Sequence, residues 1–181
     1  MYNIVGALFT NEKEAREAMA ALSENPQING TTIYQISLVK RVEGVLKLCD
    51  NFTSPYLKSS DTVKGGIIGG LVGLLAGPVG LLLGGAAGAL VGKAGDLDNK
   101  DDSAALIEQA AQKLEEGDIA LIALVEEEDE NILDHALVKY NTVVVRYDAD
   151  VIAKELAEAE KMEEEMARQA RETLRGAEKK D

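Results

Sequence analysis

Gly88-Ala89-Leu90-Val91-Gly92-Lys93 comes closest in this chain to a phosphate-binding loop, but GxxxxGK[ST] needs Gly at 87 and a hydroxyl at 94, where Ala87 and Ala94 stand. No nucleotide site follows. Asp96, Asp98 and Asp102 suggest a calcium loop, yet Lys100 and Asp101 replace the third ligand and the glycine, and Ile107 takes the place of the closing carboxylate. A solvated turn and helix cap is the expected role. His135 is the only histidine and has no triad or metal partner near it in sequence, so a surface or half-buried structural role is expected. Glu126 to Glu130 follows an apolar run and reads as a solvated acidic loop. Cys49 stands alone, which rules out an intramolecular disulfide, and reads as a small apolar residue on a strand. No catalytic residue, metal ligand or cofactor site is assigned, and the expectation is a protein that is not an enzyme.

The remaining candidates for a specific role are glycines. Residues 65 to 92 carry no charge, and 12 of the 17 glycines fall between Gly65 and Gly95. Gly65, Gly69, Gly73 and Gly77 recur every four residues; Pro78 interrupts; Gly80, Gly84, Gly88 and Gly92 resume the spacing. Such spacing places each set on one helix face, where missing side chains let another backbone come close. Helical Gly costs roughly 1 kcal/mol relative to Ala, so eight in register cost on the order of 8 kcal/mol, comparable with the net stability of a domain. Close helix packing, in a bilayer or in an oligomer interior, is what can offset that cost. As one helix, 28 residues would reach about 42 Å and cross a hydrocarbon core of about 30 Å. That crossing would separate the strands on either side of it. A break at Gly77-Pro78 gives two arms of about 21 Å that return to the starting side.

The flanking segments must build the scaffold. Tyr2 to Phe9 reads as a strand; Asn11 followed by Glu14 opens a helix with Ala15, Ala18, Met19 and Leu22 on one face. Asn25-Pro26 ends that helix and Asn29-Gly30 turns the chain. Ile33 to Lys40 and Val45 to Asp50 then form a hairpin around Arg41 to Gly44. Beyond the glycines, Asp102 or Ser103 caps a helix with Leu106, Ala110 and Leu114 on its apolar face, closed by Gly117. The unbroken run Ile119 to Val125 predicts a central strand covered on both faces. Ile132 to Tyr140 is helical, and Thr142 to Tyr147 is a strand. From Asp150 to Arg175 a charged helix carries a thin stripe, Ile152, Leu156, Ala159, Met162, Met166, Ala170 and Leu174, that either lies on the sheet, pairs with another copy, or belongs to a solvated helix.

The expectation is an α+β fold, a ferredoxin-like α/β sandwich of about five strands interrupted by a glycine-zipper helical hairpin. Residues 1–61 and 96–148 form its two parts, 62–95 the hairpin, and 149–181 an acidic C-terminal helix. The net charge of −13 arises after the hairpin, where residues 96–181 hold 25 acids against 11 bases. That surface repels nucleic acid and anionic headgroups, so no nucleic-acid partner is expected and attraction to membrane lipid must be apolar. No signal-like segment opens the sequence, and a cytosolic main body is expected.

The opening strand and helix, the hairpin, Thr62-Val63-Lys64-Gly65-Gly66 through Gly92-Lys93-Ala94-Gly95, and Gly117-Asp118-Ile119-Ala120-Leu121 together resemble the bacterial domain-of-unknown-function 1269 family over roughly residues 2 to 150. The resemblance implies a glycine-rich hairpin within a ferredoxin-like domain. It also implies a membrane protein, in some members linked to stress, without catalytic residues to carry over; the helix after Asp150 reads as an addition. The function expected is therefore a non-enzymatic homo-oligomer whose hairpin packs into or at the cytoplasmic face of the membrane. A soluble shell, ring or filament with buried hairpins is the alternative, and a small-molecule sensor is a further one resting on fold analogy.

Overall fold

A computed structural model describes residues 1–57, 62–76 and 114–178. In chain order these form β1 (Tyr2–Phe9), α1 (Glu12–Glu24), β2 (Gln27–Ile28), β3 (Thr31–Val42), β4 (Val45–Thr53), α2 (Thr62–Ala76), β5 (Ile119–Glu126), α3 (Asn131–Leu137), a 3-10 turn (Val138–Tyr140), β6 (Val144–Asp148) and α4 (Ala149–Glu178). The expected helix over Leu106 and Ala110 lies outside the described residues, as do Asp96, Asp98, Asp102 and the Gly88–Lys93 stretch.

The strands make one antiparallel sheet ordered β2-β3-β5-β1-β6, with β4 also paired to β3. The fold is α+β, and the described sheet has six strands rather than about five. The extra strand, β2, is two residues long, too short to leave any periodic signal, and pairs through Gln27 and Ile28 across the Asn29-Gly30 turn. The long hairpin is also tighter than expected: β3 runs on to Val42, and only Glu43 and Gly44 turn, at φ +57 and +76. Both central residues of such a turn need positive φ, which Gly44 supplies freely and Glu43 adopts at some strain.

The two faces of the sheet bury separate cores. On one, α1 and α3 set Ala15, Ala18, Leu22, Leu133 and Leu137 on Val5, Ile36, Leu38, Leu121, Ala123 and Val125. On the other, α2 and α4 set Ile67, Ile68, Leu71, Ile152 and Leu156 on Ile4, Val39, Leu46, Ile122 and Leu124. Strand β5 contributes to both, so its unbroken apolar run is covered on both faces as its sequence indicated. Asn11 Oδ1 accepts the Lys13 N–H at 3.0 Å and caps α1. Asp148 Oδ1 accepts the N–H groups of Asp150 and Val151, starting α4 at Ala149.

Helix α4 lies on the sheet over its first three turns. Ala149, Ile152 and Leu156 are buried, whereas Glu160, Lys161, Glu164, Glu165, Arg168 and Arg171 are exposed. Its start therefore docks; the side chains of Met162, Met166, Ala170 and Leu174 lie outside the described set.

The tip of the β3–β4 hairpin clamps the segment that leads into β5. Glu116 accepts the Glu43 N–H at 2.6 Å and the Gly44 N–H at 3.1 Å, and Arg41 donates to the Leu114 carbonyl at 2.6 Å. These two backbone donors hold the Glu116 carboxyl below the usual range. Glu12, bonded first by Lys40 and then by Arg16, is lowered as well. A depressed carboxylate adds stability that is present above the unfolded pKa of about 4.3 and is lost as pH falls through the folded value. The melting temperature is expected to drop as pH falls below about 5, and Glu116→Gln should flatten that acid limb in a thermal titration followed by circular dichroism.

Candidate helix-packing site

Helix α2 has the sequence Thr-Val-Lys-Gly-Gly-Ile-Ile-Gly-Gly-Leu-Val-Gly-Leu-Leu-Ala and holds the first members of the glycine series, Gly65, Gly69 and Gly73. Its 15 residues reach about 22 Å. Ile67, Ile68 and Leu71 point into the core over β3, β4 and β5. At about 100° per residue, Gly66, Gly69 and Gly73 fall within about 60° of one another on the opposite side. Among the described residues, a Cβ built at any of these three meets nothing within 4 Å. Gly70, which the four-residue series skips, is instead the glycine at a helix contact: a Cβ there would lie 3.5 Å from Leu156 Cδ1 of α4. Helix α2 thus presents an apolar face to its own sheet, a small flank to α4, and a side-chain-free face outward. Gly77, Pro78, Gly80, Gly84, Gly88 and Gly92 lie outside the described residues.

Beside the outward face, a cleft of about 300 Å³ separates α2 from the outer strands. Ile68, Gly69, Val72 and Gly73 form one wall; Gln35, Ser37, Asn51 and Thr53 form the other. The strand residues share a face because Gln35 pairs with Thr53 and Ser37 with Asn51. A bulge at Tyr34, where Ile33 pairs with Val125 but Gln35 with Leu124, sets that register against β5. The named lining is neutral. It offers hydrogen bonds and backbone contact, and no acid or base.

A polar cluster that sequence reasoning missed sits where β5 ends. The Glu127 side chain is 1% exposed and Arg146 is 13% exposed. Arg146 Nε–H donates to Glu127 Oε2 at 3.0 Å and Nη2 to Oε1 at 3.1 Å, a two-pronged pair. Asn3 Nδ2 donates to the same carboxylate at 3.1 Å, and Arg146 also reaches the Glu130 carbonyl at 2.8 Å. Asp134 Oδ1 lies 2.8 Å from the guanidinium as an ion pair, without hydrogen-bond alignment. Glu126 accepts the Tyr34 hydroxyl at 2.7 Å; burial, and then that bond, push the phenol's pKa up. The reading of Glu126 to Glu130 as a solvated loop is therefore corrected for its first two residues. Their partners stand on β1, β3 and β6, where no local pattern could reveal them. Every polar group of the Glu127 carboxylate is spent within this network, which makes it a structural pin between the β5–α3 loop and the sheet.

His135 is exposed, its Nδ1 2.7 Å from the Asn131 carbonyl one helical turn back. Cys49 is half-buried at a bulge of β4, against the core under α1. Among the described residues, no three His, Cys, Asp or Glu side chains are grouped to hold a metal ion, and no helix is long and apolar enough to cross a membrane.

No curated protein and no solved structure matches the chain. The family model described as "Protein of unknown function (DUF1269)" matches residues 62–170, from the first residue of α2 well into α4. The span differs from the resemblance at both ends: the match begins at the glycine-rich segment, and it includes most of the C-terminal helix that read as an addition. With more than half its length matched, beginning at the helix that carries the open glycine face, this chain belongs to the DUF1269 family.

Proposed function

We propose that this protein works by assembly rather than catalysis, as a homo-oligomer at the cytoplasmic face of a membrane, with the outward glycine face of α2 as its helix-packing surface. The observation that carries the reading is the placement of Gly66, Gly69 and Gly73 opposite the buried Ile67, Ile68 and Leu71, with open space above them. Three glycines in a helix cost roughly 3 kcal/mol against alanine, and no contact among the described residues offsets that cost. A second backbone approaching that face would. We read the scaffold as ferredoxin-like, with β1, α1, β3, β5, α3 and β6 forming the core motif, β4 an added edge strand, and the glycine-zipper hairpin inserted between β4 and β5. The uncharged stretch from 65 to 92 supports contact with lipid.

A soluble assembly is the second reading. It is favoured by the seating of α2 on its own sheet, because lipid insertion of that arm would expose Ile67, Ile68 and Leu71 of the domain core.

Two measurements test the proposal. An alkaline carbonate wash of cells should leave the protein in the membrane pellet; full recovery in the soluble fraction as large particles favours the second reading, and recovery as a monomer rejects both. Gly69→Ala with Gly73→Ala should raise the stability of the isolated fold by up to about 2 kcal/mol through helix propensity, while reducing oligomer mass in light scattering. Unchanged mass would remove the packing role from this face.

A further inference from the structure

We propose that β6 is a self-association edge, at which two copies of this chain pair antiparallel about Val145 and join their sheets into one. Among the described residues, strand β6 pairs only with β1 and ends the sheet. An open edge exposes a row of unpaired N–H and C=O groups, and monomeric proteins blunt such edges with charge, proline or bulges. The opposite edge is blunted: β4 carries Lys47, Asp50 and the bulge at Cys49. No proline, lysine or bulge interrupts β6. Its one cation, Arg146, is already committed to Glu127, Asp134 and the Glu130 carbonyl.

Apolar exposure gathers at the same place. Val143 is 74% exposed and Val145 37%, and Leu8, on neighbouring β1, is 36% exposed. Gly6 opposite Val145 leaves room for the valine to lie close to the sheet, since a Cβ on Gly6 would sit 3.0 Å from Val145 Cγ2.

Charge and side-chain order select a second copy as the occupant and select its register. With Val145 opposite Val145, Val143 of one copy faces Tyr147 of the other, and the three positions form an unbroken apolar row on one face of the joined sheet. Arg146 then faces Val144, and Asp148 faces Thr142, so no like charges are opposed. Centring the pair on Arg146 would set two arginines against each other and is disfavoured. The pairing is twofold and closes on itself, giving a dimer and not a filament. It does not depend on the glycine face of α2, which lies elsewhere in the fold.

Cross-linking tests both the edge and the register in the full chain with Cys49→Ser. Directly opposed residues in an antiparallel pair have Cα atoms about 4.5 to 5.5 Å apart, within the span of a disulfide, whereas Val143 and its copy would be separated by about 13 Å along the strands. Under mild oxidation Val145→Cys should give a covalent dimer, Val143→Cys at least tenfold less, and Gly69→Leu added to Val145→Cys should not change the yield. Val145→Lys should halve the particle mass measured by light scattering. Equal yields from Val145→Cys and Val143→Cys, dependence of the Val145→Cys cross-link on Gly69, or a wild-type monomer at concentrations near 100 µM would each overturn the proposal.

Discussion

Replacing Glu127 by Ala is expected to lower the unfolding free energy by about 3 to 5 kcal/mol, the usual cost of breaking a buried ion pair from one side. The loss is large because the Arg146 side chain, 13% exposed in the intact cluster, would lose its two-pronged acceptor and keep only the Asp134 and Glu130 carboxylates at its edge and the Glu130 carbonyl. Asn3 Nδ2 would lose its acceptor in the same stroke. Arg146→Ala should cost a similar amount, since it strands a carboxylate in a nearly closed environment. The double variant Glu127→Leu with Arg146→Met should recover most of the loss, because apolar side chains of similar volume often replace a buried pair without penalty. What it does not recover is the bond to Asn3, worth about 1 to 3 kcal/mol as an unsatisfied donor. Urea unfolding with a common slope for all four proteins gives these differences directly. Single variants within about 1 kcal/mol of wild type would show that the cluster is open to water in solution. A loss of this size is a large share of the 5 to 15 kcal/mol typical of a domain.

Ile68→Ala and Leu71→Ala are expected to destabilise the protein in detergent-free buffer by about 2 to 5 kcal/mol each, the range for truncating a large aliphatic side chain in a closed core. Both side chains are buried between α2 and the sheet, in the same cluster as Val39, Leu46 and Leu124. The outcome separates two lives for the glycine-rich segment. If α2 stays seated on its sheet, the cost appears in detergent-free urea unfolding. If α2 leaves the domain for lipid, the two truncations change detergent-free stability by less than about 0.5 kcal/mol, and their effect moves to membrane recovery. Ala at Gly66, on the open face, is the internal control and should stabilise by up to about 1 kcal/mol through helix propensity.

Much of the scaffold was legible along the chain because its signals are local. Asn11 needs only the N–H two residues on to cap α1, and Asn29-Gly30 needs only itself to turn. The apolar run of β5 marks a strand buried on both faces, since alternation would have meant one wet face. Of the glycines spaced by four, Gly69 and Gly73 share the open side of α2, but the third glycine there is Gly66, which that spacing skips.

Which side of α2 meets the protein was not legible, and the reason lies in its composition. Around the five glycines every position from 67 to 75 is apolar, so the helix has no polar stripe to mark its outer face. The sheet and Leu156 made the choice, burying Ile67, Ile68 and Leu71 and turning Gly66, Gly69 and Gly73 outward. The Glu127 cluster was hidden for a related reason: Arg146 is 19 residues away and Asn3 is 124. An acidic run in sequence carries no information about a cation on the strand two places across the sheet. Short-range preference wrote the elements and their order into the sequence. Pairings between distant segments, which depend on the closed sheet bringing β1, β5 and β6 side by side, existed only once the chain had folded.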